Sequence, residues 1–214
     1  MKNVLVIAPH NDDEVLGVGG TIRKHVLAGD RVVVCELTSG PRWKLLQSEA
    51  RQAHAVLGVA ESRFLNLPVC KLRNLEQPEI NAKLSAVVAE AAPEVAYLPF
   101  VGDMHVDHRE AVESALTALR PVHCTSVKSI FMYETLSETG WNLPSPDRAF
   151  IPNAWVDVTE TFPAKLEAMR CYQSQLCPYP HPRSPEAIEA LARFRGATIG
   201  VPLAESLMAV RLVM

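Results

Sequence analysis

Two short stretches of this chain concentrate the residue types that hold metals and move protons. "PHNDDE" (9–14) offers His10, Asp12, Asp13 and Glu14, and "DMHVDH" (103–108) offers Asp103, His105, Asp107 and His108. Zinc suits imidazole and carboxylate donors, and a catalytic zinc is usually held by three of them at roughly 2.0–2.2 Å, with a fourth position open to water. Two histidines and one carboxylate meet that need and leave acids over for a general base. Singly, each residue has a plainer reading. His10 could be a hydrogen-bonded core histidine, Asp12, Asp13 and Glu14 favourable charge at a helix N-terminus, and Asp107 with Glu110 a helix cap. Two such clusters, each closing an expected strand, point together to metal-assisted hydrolysis.

Other chemistries fit less well. Gly17, Gly19 and Gly20 follow the first strand, but their spacing is G-x-G-G and they fall inside a helical pattern, not in the turn of a dinucleotide loop. Three carboxylates would also meet the pyrophosphate where it needs bare backbone N–H groups. These glycines read as positions of close packing. There is no G-x-S-x-G elbow. The five cysteines (Cys35, Cys70, Cys124, Cys171, Cys177) form no C-x-x-C pair, so neither a thiolate zinc site nor a disulfide framework is indicated.

The elements that must position the two clusters alternate. "VLVIA" (4–8) and "RVVVCEL" (31–37) are β-branched runs, and between them Val15, Leu16, Gly19, Ile22 and Val26 recur on one helical face, ending at "AGD". Further strands are expected near 63–67, 95–99, 129–134, 154–158 and 207–213. Helices are expected over 45–57, 80–91, 108–119, 160–175 and 185–194, the last opened by Ser184 as N-cap and Pro185. This is the pattern of a single α/β domain spanning 1–214, Rossmann-like, with a mostly parallel sheet flanked by helices. Ligands of such sheets bind at the carboxyl ends of the strands, which brings both clusters to one crevice. His105 and His108, three apart, would share a helix face there.

Composition narrows the partners. With 214 residues, 48% hydrophobic and a formal net charge of -3, the chain has enough apolar material for one core and no general basicity to attract nucleic acid or an anionic membrane. The N-terminal apolar run is too short for a signal peptide or a membrane span. A reducing cytoplasm is the expected compartment, and a homo-oligomer is left open.

The residues resemble the PIG-L/LmbE family of zinc-dependent N-deacetylases. "PHNDDEVLGVGGTI" is similar to that family's (P/A)H-x-DDE-x-x-G-x-GG opening and "HVDHRE" to its H-x-DH element, and the likeness runs on through "SEARQAHAVLGV", "YETLSETGWN", "KLEAMRCYQSQL", "HPRSPEAIEALARFRG" and "AES". It implies that His10, Asp13 and His108 are zinc ligands, with other divalent metals open. Asp12 would be the general base toward the zinc-bound water, whose pKa zinc can lower to about 7. It further implies that His105, as an imidazolium, stabilises the oxyanion and can protonate the leaving amine, while Asp107 orients its ring. The implied substrate is a small N-acetylated sugar of the N-acetylglucosamine type or its conjugate. An amidase for larger acyl groups and a non-catalytic metal- or sugar-binding module are the alternatives.

Two departures bear on the substrate. Asp103 stands where some thiol-glycoside deacetylases of the family carry tyrosine, and "AESL" (204–207) replaces the common "AEAF". Arg42 or Arg51 could meet an anionic part of the substrate and Trp141 could stack on a sugar. Glu49 and Glu205 are candidates for contacts behind the ligands. Asn11 stands where the family more usually has proline, and no role is assigned to it.

Overall fold

A computed structural model describes residues 1–213. The strands are β1 (Asn3–Ala8), β2 (Arg31–Ser39), β3 (Glu61–Pro68), β4 (Val95–Pro99), β5 (Ser129–Tyr133), β6 (Ala154–Asp157) and β7 (Ala204–Leu212). They form one sheet in the order β3-β2-β1-β4-β5-β7-β6. The first five are parallel, and β7 runs antiparallel to both of its neighbours. The helices are α1 (Asp13–Leu27), α2 (Trp43–Leu57), α3 (Gln77–Ala91), α4 (Val106–Ala118), α5 (Phe162–Cys171) and α6 (Pro185–Ala197).

β1 is apolar from Val4 to Ala8 because both of its faces are covered there. Leu5 and Ile7 pack with α3 and α4 side chains such as Leu84 and Val112, while Val4 and Val6 pack with Leu16, Ala53 and Met169 from α1, α2 and α5. Each such fully buried aliphatic side chain contributes about 1.5–3 kcal/mol. The expected alternation of strands and helices is therefore realised as a doubly covered, mostly parallel sheet. Among the described residues no helix is long and apolar enough to cross a membrane.

Three local differences from expectation have physical causes. α4 opens two residues before the expected start, and its N-cap is His105, whose Nδ1 accepts from the Asp107 N–H at 3.1 Å; Asp107 is thus inside the helix and does not cap it. α5 ends at Cys171, and Tyr172 leaves the helical path to send its hydroxyl into the core, donating to Glu14 Oε1 at 2.6 Å. α1 breaks at Val18 (φ -136°, ψ 24°) within the glycine run. The Gly20 and Thr21 amides near the break donate to Glu205 at 2.9 and 2.8 Å, and Lys165 Nζ donates to Glu205 at 2.6 Å and to the Leu16 carbonyl at 2.9 Å. A buried ion pair so satisfies backbone groups near the kink. The glycines do serve close packing: a Cβ on Gly17 would run into the Tyr133 ring.

Candidate metal centre

β1 pairs with β2 on one side and with β4 on the other, so chain order reverses at β1 and a crevice opens at its carboxyl end. The loop from His10 to Asp13 leaves β1 into α1, and the loop from Asp103 to His105 leaves β4 into α4. Both expected clusters meet there. Asp12 holds a left-handed backbone (φ 99°) at the mouth of α1, a costly conformation for a residue with a Cβ, while its carbonyl accepts from the Val15 and Leu16 amides.

His10, Asp13 and His108 converge. Asp13 Oδ2 lies 3.3 Å from His10 Nδ1 and 3.1 Å from His108 Nε2. Donors held at 2.0–2.1 Å around a tetrahedral ion sit roughly 3.3 Å apart, so this spacing is that of a ligand set. His108 Nε2 and Asp13 Oδ1 are buried with no hydrogen-bond partner among the described residues. The opposite ring nitrogens are tied down. His108 Nδ1 donates to Asp103 Oδ2 at 2.8 Å, and Thr139 Oγ1 donates to Asp103 Oδ1 at 2.6 Å. His10 Nε2 donates to Asp107 Oδ2 at 3.2 Å, where the Cys70 N–H also donates at 2.6 Å, and the Leu72 N–H donates to Asp107 Oδ1 at 3.2 Å. Carboxylates behind both imidazoles fix the tautomers that present a free nitrogen inward. Burial works against charge on His108, but Asp13 and Asp103 outweigh it and raise its pKa to about 10. Burial likewise opposes ionised Asp13, yet His108 and His10 hold it well below the usual carboxylate range. Orphaned donors and locked imidazoles fit a divalent ion.

Beside this set lies Asp12, fully buried. Burial pushes its pKa up to about 8 against the pull of Arg183, whose Nε donates to Asp12 Oδ2 at 2.8 Å; Oδ1 has no hydrogen-bond partner among the described residues. His105 packs edge-on against His10 with ring centres 4.4 Å apart. Its Nδ1 accepts from a backbone amide, so its proton sits on Nε2, and burial and the neighbouring His10 bring its pKa down to about 4. Both effects favour the neutral ring of His105. The Asp107 carboxylate accepts from His10 Nε2, its Oδ2 lies 4.0 Å from His105 Nδ1, and its backbone N–H donates to that nitrogen. His10, Asp12, His105, Asn11, Arg42 and Arg183 share a cavity of about 470 Å³.

The remaining candidates separate. Asp103 is the partner of His108. Arg51 lies over the Phe64 ring at 4.6 Å and Trp141 is 59% exposed, and neither lines this cavity. Glu49 binds Ser174, and Glu205 staples α1. Sequence reasoning missed Arg183. The start of α6 at Ser184–Pro185 places it just before a helix, but nothing local marks a partner 171 residues away.

Known proteins resemble this chain in sequence and in fold. The chain is 27% identical over 193 residues to the diacetylchitobiose deacetylase of Thermococcus kodakarensis, covering 82% of this chain and 70% of that protein. It is 26% identical over 231 residues to a 1D-myo-inositol 2-acetamido-2-deoxy-alpha-D-glucopyranoside deacetylase of Actinosynnema mirum, covering 81% and 80%. The solved structure of the conserved protein TT1542 from Thermus thermophilus superposes with a TM-score of 0.83 at 27% identity, covering 100% of this chain and 97% of that one. The family described as PIG-L, GlcNAc-PI de-N-acetylase, matches residues 5–119, more than half of the chain. The fold, the paired clusters at its switch point and this match make the chain a member of the PIG-L de-N-acetylase family.

Proposed function

We propose that the protein is a zinc-dependent hydrolase that removes the N-acetyl group from an N-acetylglucosamine-like sugar or glycoconjugate, releasing acetate and a free amine. The observation that carries this reading is the spacing of His10, Asp13 and His108 at the edge of a cavity that His10 and Asp12 line. Their nitrogen and oxygen donors suit zinc. When bound, such an ion supplies Lewis acidity toward a water and the amide carbonyl.

The chain's own residues do the rest. Asp12 accepts the proton of the attacking water on Oδ1, its free oxygen, while Arg183 holds Oδ2. Arg183 beside it counters the protonation that burial favours and so keeps a carboxylate available to take that proton. His105 Nε2–H donates to the acyl oxygen as negative charge grows there, and an oxyanion donor of this kind is worth about 2.7–4 kcal/mol. Its single N–H is then committed. The proton on Asp12 is the one that passes to the leaving nitrogen as the C–N bond breaks.

Metal analysis followed by an acetate-release screen over N-acetylated sugars, nucleotide sugars and glycosides tests the proposal. About one divalent ion per chain and acetate from an N-acetylamino sugar are expected. Activity confined to bulkier acyl amides would replace the deacetylase by an amidase, and a metal-loaded protein inert across the panel would leave a binding module.

A further inference from the structure

The His105 ring is anchored at both of its nitrogens. Nδ1 accepts from the Asp107 amide at 3.1 Å, and Nε2 lies 3.5 Å from Cys70 Sγ, its one polar contact among the described residues. With the proton on Nε2, the ring donates and the sulfur accepts. Cys70 is exposed and stands two residues past the end of β3, the edge strand of the sheet, in a left-handed backbone (φ 60°) that is costly for a residue with a Cβ. Its own N–H donates to Asp107 Oδ2 at 2.6 Å, the same oxygen that accepts from His10 Nε2. One residue thus reaches both imidazoles, His10 by way of Asp107 and His105 through the thiol. The bond to Asp107 needs only a backbone N–H, which glycine would supply in this conformation without strain. What cysteine adds here is the sulfur beside His105.

We infer that Cys70 is a positioning residue for the deacetylase reaction, its thiol holding the His105 Nε2–H until the acyl oxygen of the substrate takes that proton's hydrogen bond over. His105 lines the cavity and Cys70 does not, so the thiol acts through the ring. Sulfur is a weak acceptor. It restrains the ring against turning about its Nδ1 anchor, yet gives up the N–H to a carbonyl oxygen, and more readily still to one gathering negative charge, because bonds to charged acceptors are the stronger ones. A carboxylate at this position would instead compete with the substrate for the same N–H. The inference rests on the deacetylase reading and adds to it a residue outside the two histidine-aspartate clusters.

The test uses zinc-loaded wild type, Cys70→Gly and Cys70→Ser. Acetate release from N-acetylglucosamine, its methyl glycoside and its 1-phosphate gives kcat and KM, and competition with a chelator gives affinity for the ion. Nitrogen-15 NMR of histidine-labelled protein follows His105 Nε2, whose signal is assigned by its loss in His105→Asn. Cys70→Gly keeps the amide that holds Asp107, so affinity for the ion and KM should hold, while kcat falls about three- to tenfold, the scale of one lost neutral hydrogen bond. The Nε2 signal should shift as water replaces sulfur. Cys70→Ser restores an acceptor and should recover part of kcat. Wild-type kcat in Cys70→Gly, or an Nε2 signal that does not move, overturns the inference while leaving the deacetylase intact. A loss of kcat that comes with weaker binding of the ion makes the role of Cys70 structural, through Asp107, and overturns it as well. If wild type releases no acetate from any of the three, the deacetylase reading is what fails, and the NMR shift still decides whether the thiol holds His105.

Discussion

Arg183 donates through Nε to Asp12 Oδ2 at 2.8 Å, joining the loop before α6 to the residue proposed as general base. The contact opposes the rise in the Asp12 pKa that burial imposes and leaves Oδ1 free for water. Arg183→Met removes the tether while keeping much of the side chain's bulk. Its kcat should fall about 100-fold, the cost of a small misplacement of a reacting group, with metal content unchanged. Arg183→Lys should recover part of the loss, since charge returns without the guanidinium geometry. An Arg183→Met enzyme with normal kcat would remove Arg183 from the catalytic account.

Asp103 and Asp107 stand behind His108 and His10. Asp103→Asn and Asp107→Asn should each weaken divalent-ion binding by about 10–100-fold, measured by competition with a chelator. The Asp107 variant separates two roles: if its carboxylate served His105, affinity for the ion would hold and only turnover would fall.

Much of this site is legible in the chain, and the parts that are not share a cause. "PHNDDE" and "HVDH" can be read because each holds its donors within a few residues and each follows a β-branched run that ends at a sheet edge. The family resemblance implies that Asp107 orients His105, two residues away, whereas the tertiary fold brings His10 Nε2 to 3.2 Å from its carboxylate. Arg183 and the free Nδ2 of Asn11 depend on loops whose path no local pattern fixes. Helical period locates the helices but not the end of α5. Tyr172 departs from it to reach Glu14, a gain visible only once α1 is packed alongside.

Glu14, Glu36, His54 and Tyr172 form a buried polar cluster in which Glu36 Oε2 has no hydrogen-bond partner among the described residues. Burial, reinforced by Glu14, raises the Glu36 pKa well above its ordinary 4.5. A raised acid favours the folded state below its unfolded pKa, and that contribution is lost as pH rises through the folded value. Stability should therefore decline on the alkaline side. Glu36→Gln, which keeps the shape and cannot ionise, should flatten the dependence of Tm on pH between about 5 and 9. A variant that loses stability with rising pH as steeply as wild type would contradict this origin.

The central claim is that His10, Asp13 and His108 hold the ion while Asp12 moves the proton. Acetate release by zinc-loaded wild type and Asp12→Asn, with metal content measured on the same samples, tests it most directly. The account predicts about one ion per chain in both proteins and a fall in turnover of about 10²–10⁴-fold in the variant, the range of a lost general base. Turnover retained by a fully metal-loaded Asp12→Asn protein would contradict it.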